Sequence, residues 1–344
     1  MSANSSEIVV RCEGLTKEYE SLVALNNLNL EIPRAHVFGY IGHNGAGKTT
    51  TIRILAGLLT ASSGSATICG VDVASGRDEI KKLVGYMPDA FGVYDQMRVW
   101  EYLDFFGAAF KIPRKERKKR LDYVLEITEA EYMRDRFVDT LSKGMKQRVG
   151  IARTLMHDPQ VLLLDEPASG LDPHARVQMR NLLRRLADDG KTLLVSSHIL
   201  PELAAICDSI GIIHQGNLRT YGPINKVLGE LARDRLMEVR CVGPLTDAVK
   251  LLNDDPQCRK VDDSEANTGI VRFKFKGDDE AMSALLQKLV STGVNVVTFR
   301  EVPLSLEDAY LAISGITTTD EEPDEMTETL DESAEPAREG ETTT

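Results

Sequence analysis

The sequence predicts an α/β protein with a parallel-sheet core, followed by a smaller α+β domain. Over the first ~220 residues, short apolar runs alternate with helical patterns, which is the order of an α/β fold. Several of these runs are continuously apolar, as is typical of strands covered on both faces. After Gly222–Pro223 the segments follow the order β-α-β-β-α-β, which indicates a ferredoxin-like domain.

The core elements follow from the apolar runs and from the residues that bound them. Proline in the first turn and Gly190 beyond the end mark the helix that starts at Pro173. The predicted strands are Val37–Ile41, Val161–Leu164 and Thr192–Val195, and the predicted helices are Thr49–Leu59 and Pro173–Ala187.

Residues ~88–158 differ from the core, because they hold few strand-like runs and many charges. Helical periodicity covers Val99–Phe110 and Lys115–Ile127, and a further helical run covers Val149–His157. We therefore predict a helical subdomain inserted into the α/β core.

A basic run lies at 111–120, where seven of ten residues are Lys or Arg. It is typical of a solvated helix whose apolar face is Leu121, Val124 and Leu125. Attraction to anionic lipid headgroups is an alternative. Binding to nucleic acid is a weaker one, since no aromatic residue interleaves the run.

The C-terminal third divides into a predicted domain and a tail. A last helix is predicted from Ser305, with Asp308 three residues on, close to a capping box. From Ile316 onward almost every residue is Thr, Glu, Asp or Pro, so we predict a disordered acidic tail. The predicted divisions are a first domain at 7–222, with its helical subdomain at about 88–158, a linker at 223–235, a ferredoxin-like accessory domain at 236–315 and the tail at 316–344.

Composition excludes several classes of protein. The net charge of −12 is concentrated between Asp320 and Glu341, where eleven acidic residues face one arginine, and the rest of the chain is nearly neutral. This does not indicate a nucleic-acid-binding surface. Five scattered cysteines without a C-x-x-C pair argue against a disulfide framework or a zinc site and favour a reducing cytoplasm. The short polar start predicts no signal peptide, and no apolar run has the length of a membrane-spanning helix.

A phosphate-binding loop is the most specific motif. The pattern G-x-x-x-x-G-K-[ST] lies between a predicted strand and a predicted helix, as the motif requires. Its glycines let backbone N–H groups turn toward phosphate oxygens, Lys48 reaches the β- and γ-phosphates, and Thr49 ligates Mg²⁺. The loop comprises Gly42, His43, Asn44, Gly45, Ala46, Gly47, Lys48, Thr49 and Thr50.

Two adjacent carboxylates follow the strand Val161–Leu164. Ligands bind at this end of the strands in open α/β sheets. Asp165 is suited to a Mg²⁺-associated role and Glu166 to polarising an attacking water. Taken alone, the pair is also compatible with solvated acids at a strand end.

The order of motifs resembles that of ATP-binding cassette (ABC) transporter ATPases, a family of P-loop NTPases. After the phosphate loop come L-S-x-G-x-x-Q-R at Leu141–Arg148, apolar-D-E-P at 161–167, S-G-L-D ending at Asp172, and S-S-H ending at His198. The resemblance extends over about the first 220 residues and is strongest to nucleotide-binding subunits of ABC-2-type exporters, whose membrane part is a separate chain.

The resemblance implies a role for each matched residue. Tyr19 would stack on adenine, and Glu166 would be the catalytic carboxylate. Ser142 and Gly144 would contact the γ-phosphate of ATP held by a second subunit, and Asp172 would lie at the dimer interface. His198 would sense the γ-phosphate and position the water. Each also has a structural alternative: Ser142 and Asp172 are good helix caps, Gly144 suits a helix-start turn, and Tyr19 and His198 suit ordinary packing.

Two features depart from the family pattern. Asp89 stands where the family usually has a glutamine near Mg²⁺ and the water. Its carboxylate could still approach Mg²⁺ or the water, as a catalytic and metal-binding candidate, but it places a further negative charge beside Glu166. Lys143 and Met145 stand in the signature segment where glycine and glutamine are commoner. Lys143 adds a positive charge suited to a facing phosphate, and Met145 removes a polar group.

We therefore predict an ATPase that uses ATP and Mg²⁺ and powers a separate transmembrane permease. Two copies would close around ATP, and hydrolysis would reopen them, with the chain cytoplasmic and peripheral on the cytoplasmic face of the cell membrane. Nucleic acid is not an expected partner. The alternatives are a soluble cassette ATPase acting on ribosomes or nucleic acid, and a regulatory subunit with weak hydrolysis.

Overall fold

The computed structural model describes residues 7–90, 92, 96–198, 203, 205–231, 235–264 and 268–302. The helix predicted from Ser305 and the acidic tail lie outside these residues. The strands are β1 (Ile8–Tyr19), β2 (Leu22–Pro33), β3 (Val37–Ile41), β4 (Ser63–Ile68), β5 (Val71–Asp72), β6 (Val84–Met87), β7 (Val161–Asp165), β8 (Thr192–Ser197), β9 (Ser209–His214), β10 (Asn217–Pro223), β11 (Arg235–Val242), β12 (Cys258–Asp262), β13 (Ile270–Phe275) and β14 (Asn295–Glu301). The helices are α1 (Lys48–Leu55), α2 (Arg77–Leu83), α3 (Val99–Ala109), α4 (Arg114–Ile127), α5 (Lys143–Leu155), α6 (Pro173–Asp188), α7 (Ile224–Leu231), α8 (Thr246–Asp254) and α9 (Asp279–Ser291).

The central sheet has the order β10-β9-β3-β8-β7-β6. Its strands β9, β3, β8, β7 and β6 run parallel, and β10 is antiparallel to β9. Every residue of β3, β7 and β8 is buried, which confirms the strands predicted from continuous apolar runs. The sheet is apolar on both faces because alternate residues enter two different cores. Phe38 and Tyr40 pack into one, and Val37 and Ile41 into the other.

A second sheet, antiparallel and in the order β2-β1-β4-β5, was not among the predicted elements. It packs on the central sheet through a core that includes Val10, Leu28 and Leu30. The pairing of β1 with β2 contains several register shifts, including one between Cys12 and Leu15. These irregularities interrupt the strict alternation by which a half-buried strand is recognised in a sequence.

Two predicted helix boundaries were wrong. The helix after the phosphate loop ends at Leu55 rather than Leu59, because Gly57 adopts a left-handed conformation (φ +70°) that stops it. The helix predicted over Val149–His157 instead starts at Lys143 and ends at Leu155, with Ser142 as its N-cap. The first turn of α5 is strongly polar, so it lacks the apolar periodicity that predicts a helix.

Helices α3, α4 and α5 lie in the stretch for which a helical subdomain is predicted. They share a core to which Tyr102, Leu121, Val124 and Leu125 contribute. In the basic run, Arg117 forms a bidentate contact with Asp104, at 2.8 and 3.2 Å. Arg120 binds Asp158 and the Leu155 carbonyl, so these two cations hold the subdomain together.

The C-terminal sheet has the order β12-β13-β11-β14, and every neighbouring pair in it is antiparallel. Helices α8 and α9 pack on one face, where Met237, Val239 and Phe273 meet Leu252 and Leu289. The predicted linker contains helix α7. Within the described ranges, no helix is both long and apolar enough to span a membrane.

Candidate functional site

The phosphate-binding loop runs from the end of β3 into α1, as predicted. Gly47 precedes α1 with φ +110°, and a Cβ built on it would lie 2.6 Å from the Ala24 carbonyl oxygen. A Cβ on Gly42 would lie 2.6 Å from the Ile213 carbonyl oxygen. Only glycine fits at both positions, and the loop therefore holds its backbone N–H groups at the helix N-terminus, where an anion is stabilised.

Lys48 is a buried cation at the base of this loop, with 5% of its surface exposed. Its Nζ donates to the carbonyl oxygens of Gly42 at 2.5 Å and His43 at 3.3 Å. It also lies 3.3 Å from Oε1 of Glu166. A buried ammonium group inside a glycine-rich loop fits the charge and size of a phosphate.

A chain of hydrogen bonds links helix α1 to the ends of strands β7 and β8 below the loop. The Thr49 hydroxyl donates to Oδ2 of Asp165 at 2.8 Å, and the Ser196 hydroxyl donates to Oδ1 of the same carboxylate at 2.6 Å. Ser196 also accepts from the Glu166 amide at 3.1 Å. Mg²⁺ in phosphate sites is held through one or two protein oxygens plus the phosphates, so Thr49 and Asp165 fit it.

Ser196 was missed by the sequence analysis. The signal was present in the Ser196–His198 motif, which follows an apolar strand. Because β7 and β8 pair with Asp165 opposite Ser196, the hydroxyl reaches the carboxylate directly. Nothing in the sequence sets that register.

Glu166 has an unusual backbone and an incompletely bonded side chain. Its φ of +50° is left-handed, which costs a residue with a side chain about 1–3 kcal/mol. The side chain is 12% exposed, and His198 Nδ1 lies 2.9 Å from Oε2. Oε1 is buried and has no hydrogen-bond partner within the described residues, although Lys48 is at ion-pair distance. A carboxylate oxygen with acceptor capacity left beside a phosphate loop is suited to bind and deprotonate water.

Asp89 lies just beyond β6, on the neighbouring strand end. Met87 pairs with Leu164, so Asp89 and Glu166 each follow a paired residue by two positions. Neighbouring strands lie about 4.8 Å apart, which brings the two residues to the same edge of the sheet. Asp89 is exposed, and within the described residues it forms no hydrogen bond or ion pair with the phosphate loop or Glu166.

Tyr19 is positioned by the β1–β2 hairpin. It pairs with Leu22, two residues before the Ala24 carbonyl that adjoins Gly47. The ring is 44% exposed, and Lys17 Nζ lies 4.9 Å from its centroid. An exposed ring near the phosphate loop can stack on a base.

The signature residues lie on a different surface. Ser142 and Gly144 border a depression of about 260 Å³ together with Gly170 and Asp172. Among the described residues, no hydrogen bond or ion pair joins this depression to the phosphate loop. The structural alternatives are realised here, since Ser142 Oγ accepts from Met145 N at 3.4 Å and Asp172 Oδ1 accepts from Ala175 N at 2.9 Å.

The unusual signature residues have defined surroundings. Lys143 extends over the backbone of Gly170, which has φ +65° and leaves room for its ammonium group. Met145 packs partly against the helical core, and its sulfur lies 3.9 Å from Nη1 of Arg136. Packing therefore accounts for a thioether at this position.

Comparison with known proteins agrees with this arrangement. Residues 25–169 match the ABC transporter family. The chain is 34% identical over 310 residues to the bacitracin transport ATP-binding protein BcrA of Bacillus licheniformis, covering 89% of this chain and 97% of that protein. It is 31% identical over 317 residues to the Nod factor export ATP-binding protein I of Ralstonia nicotianae, covering 89% and 94%.

A solved structure shares the cassette fold. The ATP-binding cassette MJ0796, a dimer in a post-hydrolysis state bound to ADP and Pi, matches with a TM-score of 0.56 and 26% identity, covering 62% of this chain and 98% of that one. The two relatives are more than 30% identical to this chain, and the alignments cover nearly the whole length of each relative. The chain belongs to the ATP-binding cassette transporter family, as one of its ATP-binding proteins.

Proposed function

We propose that this chain is the ATP-hydrolysing subunit of an exporter and that it drives a separate transmembrane permease. The observation that carries hydrolysis is the buried Oε1 of Glu166, which has no hydrogen-bond partner among the described residues and lies 3.3 Å from Lys48 Nζ. The link to export is supported by the transport and export relatives. The chain would act at the cytoplasmic face of the membrane, bound to its permease.

The residues of the loop and of the strand ends have separate roles in binding phosphate, binding Mg²⁺ and activating water. Loop amides and Lys48 hold the β- and γ-phosphates, and Thr49 and Asp165 hold Mg²⁺, which neutralises charge on those phosphates. Glu166 Oε1 takes the proton of the attacking water, whose oxygen bonds to the γ-phosphorus as the bond to the leaving ADP oxygen breaks. His198 orients Glu166 through its 2.9 Å contact with Oε2.

We further propose that each site is completed by a second copy of the chain. Ser142 and Gly144 stand at the N-terminus of α5, a favourable place for an anion, yet lie apart from the phosphate loop of their own chain. They would contact the γ-phosphate held by the partner, with Asp172 between the two subunits. The dimeric state of MJ0796 supports this arrangement. Tyr19 would stack on the adenine, and Asp89 would relay the state of the site to the permease.

The same proposal assigns the domains. The cassette occupies 7–222, with its helical subdomain at about 88–158. Residues 236–315 form a ferredoxin-like accessory domain, supported by the antiparallel order β12-β13-β11-β14. The predicted helix and tail beyond residue 302 belong to this part of the proposal.

Mixing two inactive variants tests the composite site. Lys48→Ala removes the phosphate-binding cation but leaves the signature surface unchanged, whereas Gly144→Asp places a negative charge on that surface and leaves the loop unchanged. A mixed dimer has one site with both surfaces intact, so mixing should restore MgATP hydrolysis that neither variant shows alone. Steady-state phosphate release measures it.

The controls test separately whether two subunits complete each site and whether the chain serves export. Gly144→Asp alone should still bind ATP, and mixing Lys48→Ala with Glu166→Gln should restore nothing, because both changes lie on the same side of the site. If the first mixture also stayed inactive while mixed dimers formed, a site completed by two subunits would be ruled out. Export would be contradicted by recovery of the chain with ribosomes or nucleic acid and without a membrane protein.

A further inference from the structure

The C-terminal sheet has one face that neither described helix of this region, α8 or α9, covers. Helices α8 and α9 pack on the face that carries Met237, Val239 and Phe273. Residues of the opposite parity along the strands therefore point away from both helices. We call this surface the basic face, and its charged members are Arg240, Arg259, Arg272, Lys274 and Arg300 with Glu238 and Asp262.

Only part of this charge is balanced within the sheet. Glu238 is 5% exposed and lies directly between Arg272 on β13 and Arg300 on β14. Its Oε2 accepts from Arg272 Nε at 3.1 Å, and its Oε1 lies 2.7 Å from Arg300 Nη2. Both oxygens of this carboxylate are used, so it has little capacity left for other cations.

Three further cations on the face have no ion-pair partner among the described residues. Arg240 and Arg259 are exposed and Lys274 is half-buried, and none of the three forms an ion pair with any residue that the structure describes. Arg259 and Lys274 stand directly opposite each other on β12 and β13. Like charges in that position repel and destabilise the pair, so an anion between them would be stabilising.

The same chain contains an anion suited to this surface. Residues 320–341 hold eleven acidic residues and one arginine. The chain leaves the sheet at the end of the edge strand β14, at Glu301, which follows Arg300. The residues between, 303–319, span up to ~3.3 Å each, far more than the ~15 Å width of four strands. Tethering also gives the tail a millimolar effective concentration at the face, enough for a weak electrostatic contact.

We propose that the acidic segment 320–341 binds the basic face of its own chain. Charge complementarity favours it over a second copy, since two such faces carry the same net sign and repel. Nucleic acid is disfavoured, because the basic face, as far as the structure describes it, has no aromatic side chain on which a base can stack. The bound tail would screen the basic face from other anions. High ionic strength would weaken the contact and release the tail.

Cross-linking of the full-length chain tests the contact. A water-soluble carbodiimide joins a lysine amine to a carboxylate in contact with it, and fragment spectra identify both residues. Lys274 should couple to residues 320–341, whereas Lys250, an exposed lysine on the helical side, serves as the matched control. The Lys274 yield should exceed the Lys250 yield at least about fivefold at low salt, and the excess should vanish near 1 M salt, where the screening length is about 3 Å.

Two variants, one of the basic face and one of the acidic segment, test whether the cross-link depends on both surfaces. Arg240→Gln with Arg259→Gln changes exposed residues only, and replacing Asp320, Glu321, Glu322, Asp324 and Glu325 by their amides leaves the sheet unaltered. Each should reduce the Lys274 cross-link severalfold while circular dichroism stays unchanged. Equal coupling at Lys250 and Lys274 would overturn the proposal.

Two other outcomes would also contradict it. When isotopically labelled and unlabelled chains are mixed, cross-links between the two labels would assign the tail to a second copy. Binding to vesicles of anionic lipid that is lost in Arg240→Gln/Arg259→Gln, with no tail cross-link to Lys274, would assign the face to a membrane surface.

Discussion

Two glutamates with little exposed side chain, one beside the phosphate loop and one in the C-terminal sheet, are bonded in opposite ways. Glu238 lies in the C-terminal sheet with both oxygens bound by arginines and an ordinary strand backbone. Glu166 lies at the end of β7 with a left-handed backbone, one oxygen bound to His198, and the other without a hydrogen bond in the described residues. Their side chains are similarly buried, at 6% and 12% exposure.

The difference shows that burial alone does not identify a functional carboxylate. A fully bonded acid between two strands stabilises their pairing, and it has no acceptor capacity for a substrate. An acid held in a strained conformation with free acceptor capacity carries a cost that the surrounding fold must offset. The following predictions test this distinction, from the largest expected effect to the smallest.

Replacing each glutamate by glutamine should affect different properties. Glu166→Gln should lower the ATPase rate by about 10²–10⁴-fold and leave ATP binding intact, because it removes a proton acceptor but preserves size. Glu238→Gln should leave the rate nearly unchanged and lower the melting temperature of the C-terminal sheet. Steady-state turnover, nucleotide titration and thermal denaturation measure these quantities, and an active Glu166→Gln chain would refute the assignment.

Ser196→Ala should lower the ATPase rate by about 10–100-fold and raise the Mg²⁺ concentration required, because the hydroxyl orients Asp165. Ser209→Ala is the matched control. Ser209 is also a buried serine on a strand of the central sheet, but it lies at the start of β9 and contacts His36 at 2.7 Å. A Mg²⁺ titration of the ATPase rate distinguishes the two, and equal losses would mean that the Asp165 contact has no special role.

Two glycines with equally crowded backbones, one in the phosphate loop and one before β13, separate an effect on stability from an effect on nucleotide binding. Cβ atoms on Gly47 and Gly269 would lie 2.6 and 2.5 Å from carbonyl oxygens, and both residues have positive φ. Gly47→Ala and Gly269→Ala should therefore both destabilise the chain, each by about 1–3 kcal/mol. Only Gly47→Ala should also impair nucleotide binding. Denaturant unfolding and nucleotide titration on both variants separate the effects, and normal binding by Gly47→Ala would contradict the loop assignment.

Acid should weaken the C-terminal sheet through Glu238. Burial tends to raise the pKa of this carboxyl, but the hydrogen bonds from Arg300 and Arg272 together hold the pKa below its ordinary value of 4.5. The ionised form is therefore favoured by folding, and its contribution to stability is lost as the pH falls below about 4.5. Unfolding followed from pH 6 to pH 3 should show a shallower decline in Glu238→Gln than in the wild-type chain.

The sequence predicted the central strands and the phosphate site because strong local signals specify them. Continuous apolar runs gave β3, β7 and β8, and the glycine pattern gave the loop. The antiparallel sheet was missed because its bulges break the alternation between Cys12 and Leu15. Ser196 was missed because its role depends on strand register, and the strained φ of Glu166 leaves no trace in composition. These are properties of tertiary contacts rather than of local pattern.

The surroundings of the phosphate loop affect the order in which the chain can fold. The Ala46 carbonyl accepts from the Gly216 amide, and the Gly216 carbonyl accepts from the Asn26 amide. The loop therefore depends on a turn that is synthesised long after it. At the usual 5–20 residues per second, roughly ten to thirty seconds separate the two segments on the ribosome. The loop near the start of the chain thus acquires its full set of contacts late, and a nascent cassette shorter than about 216 residues lacks one wall of its nucleotide site.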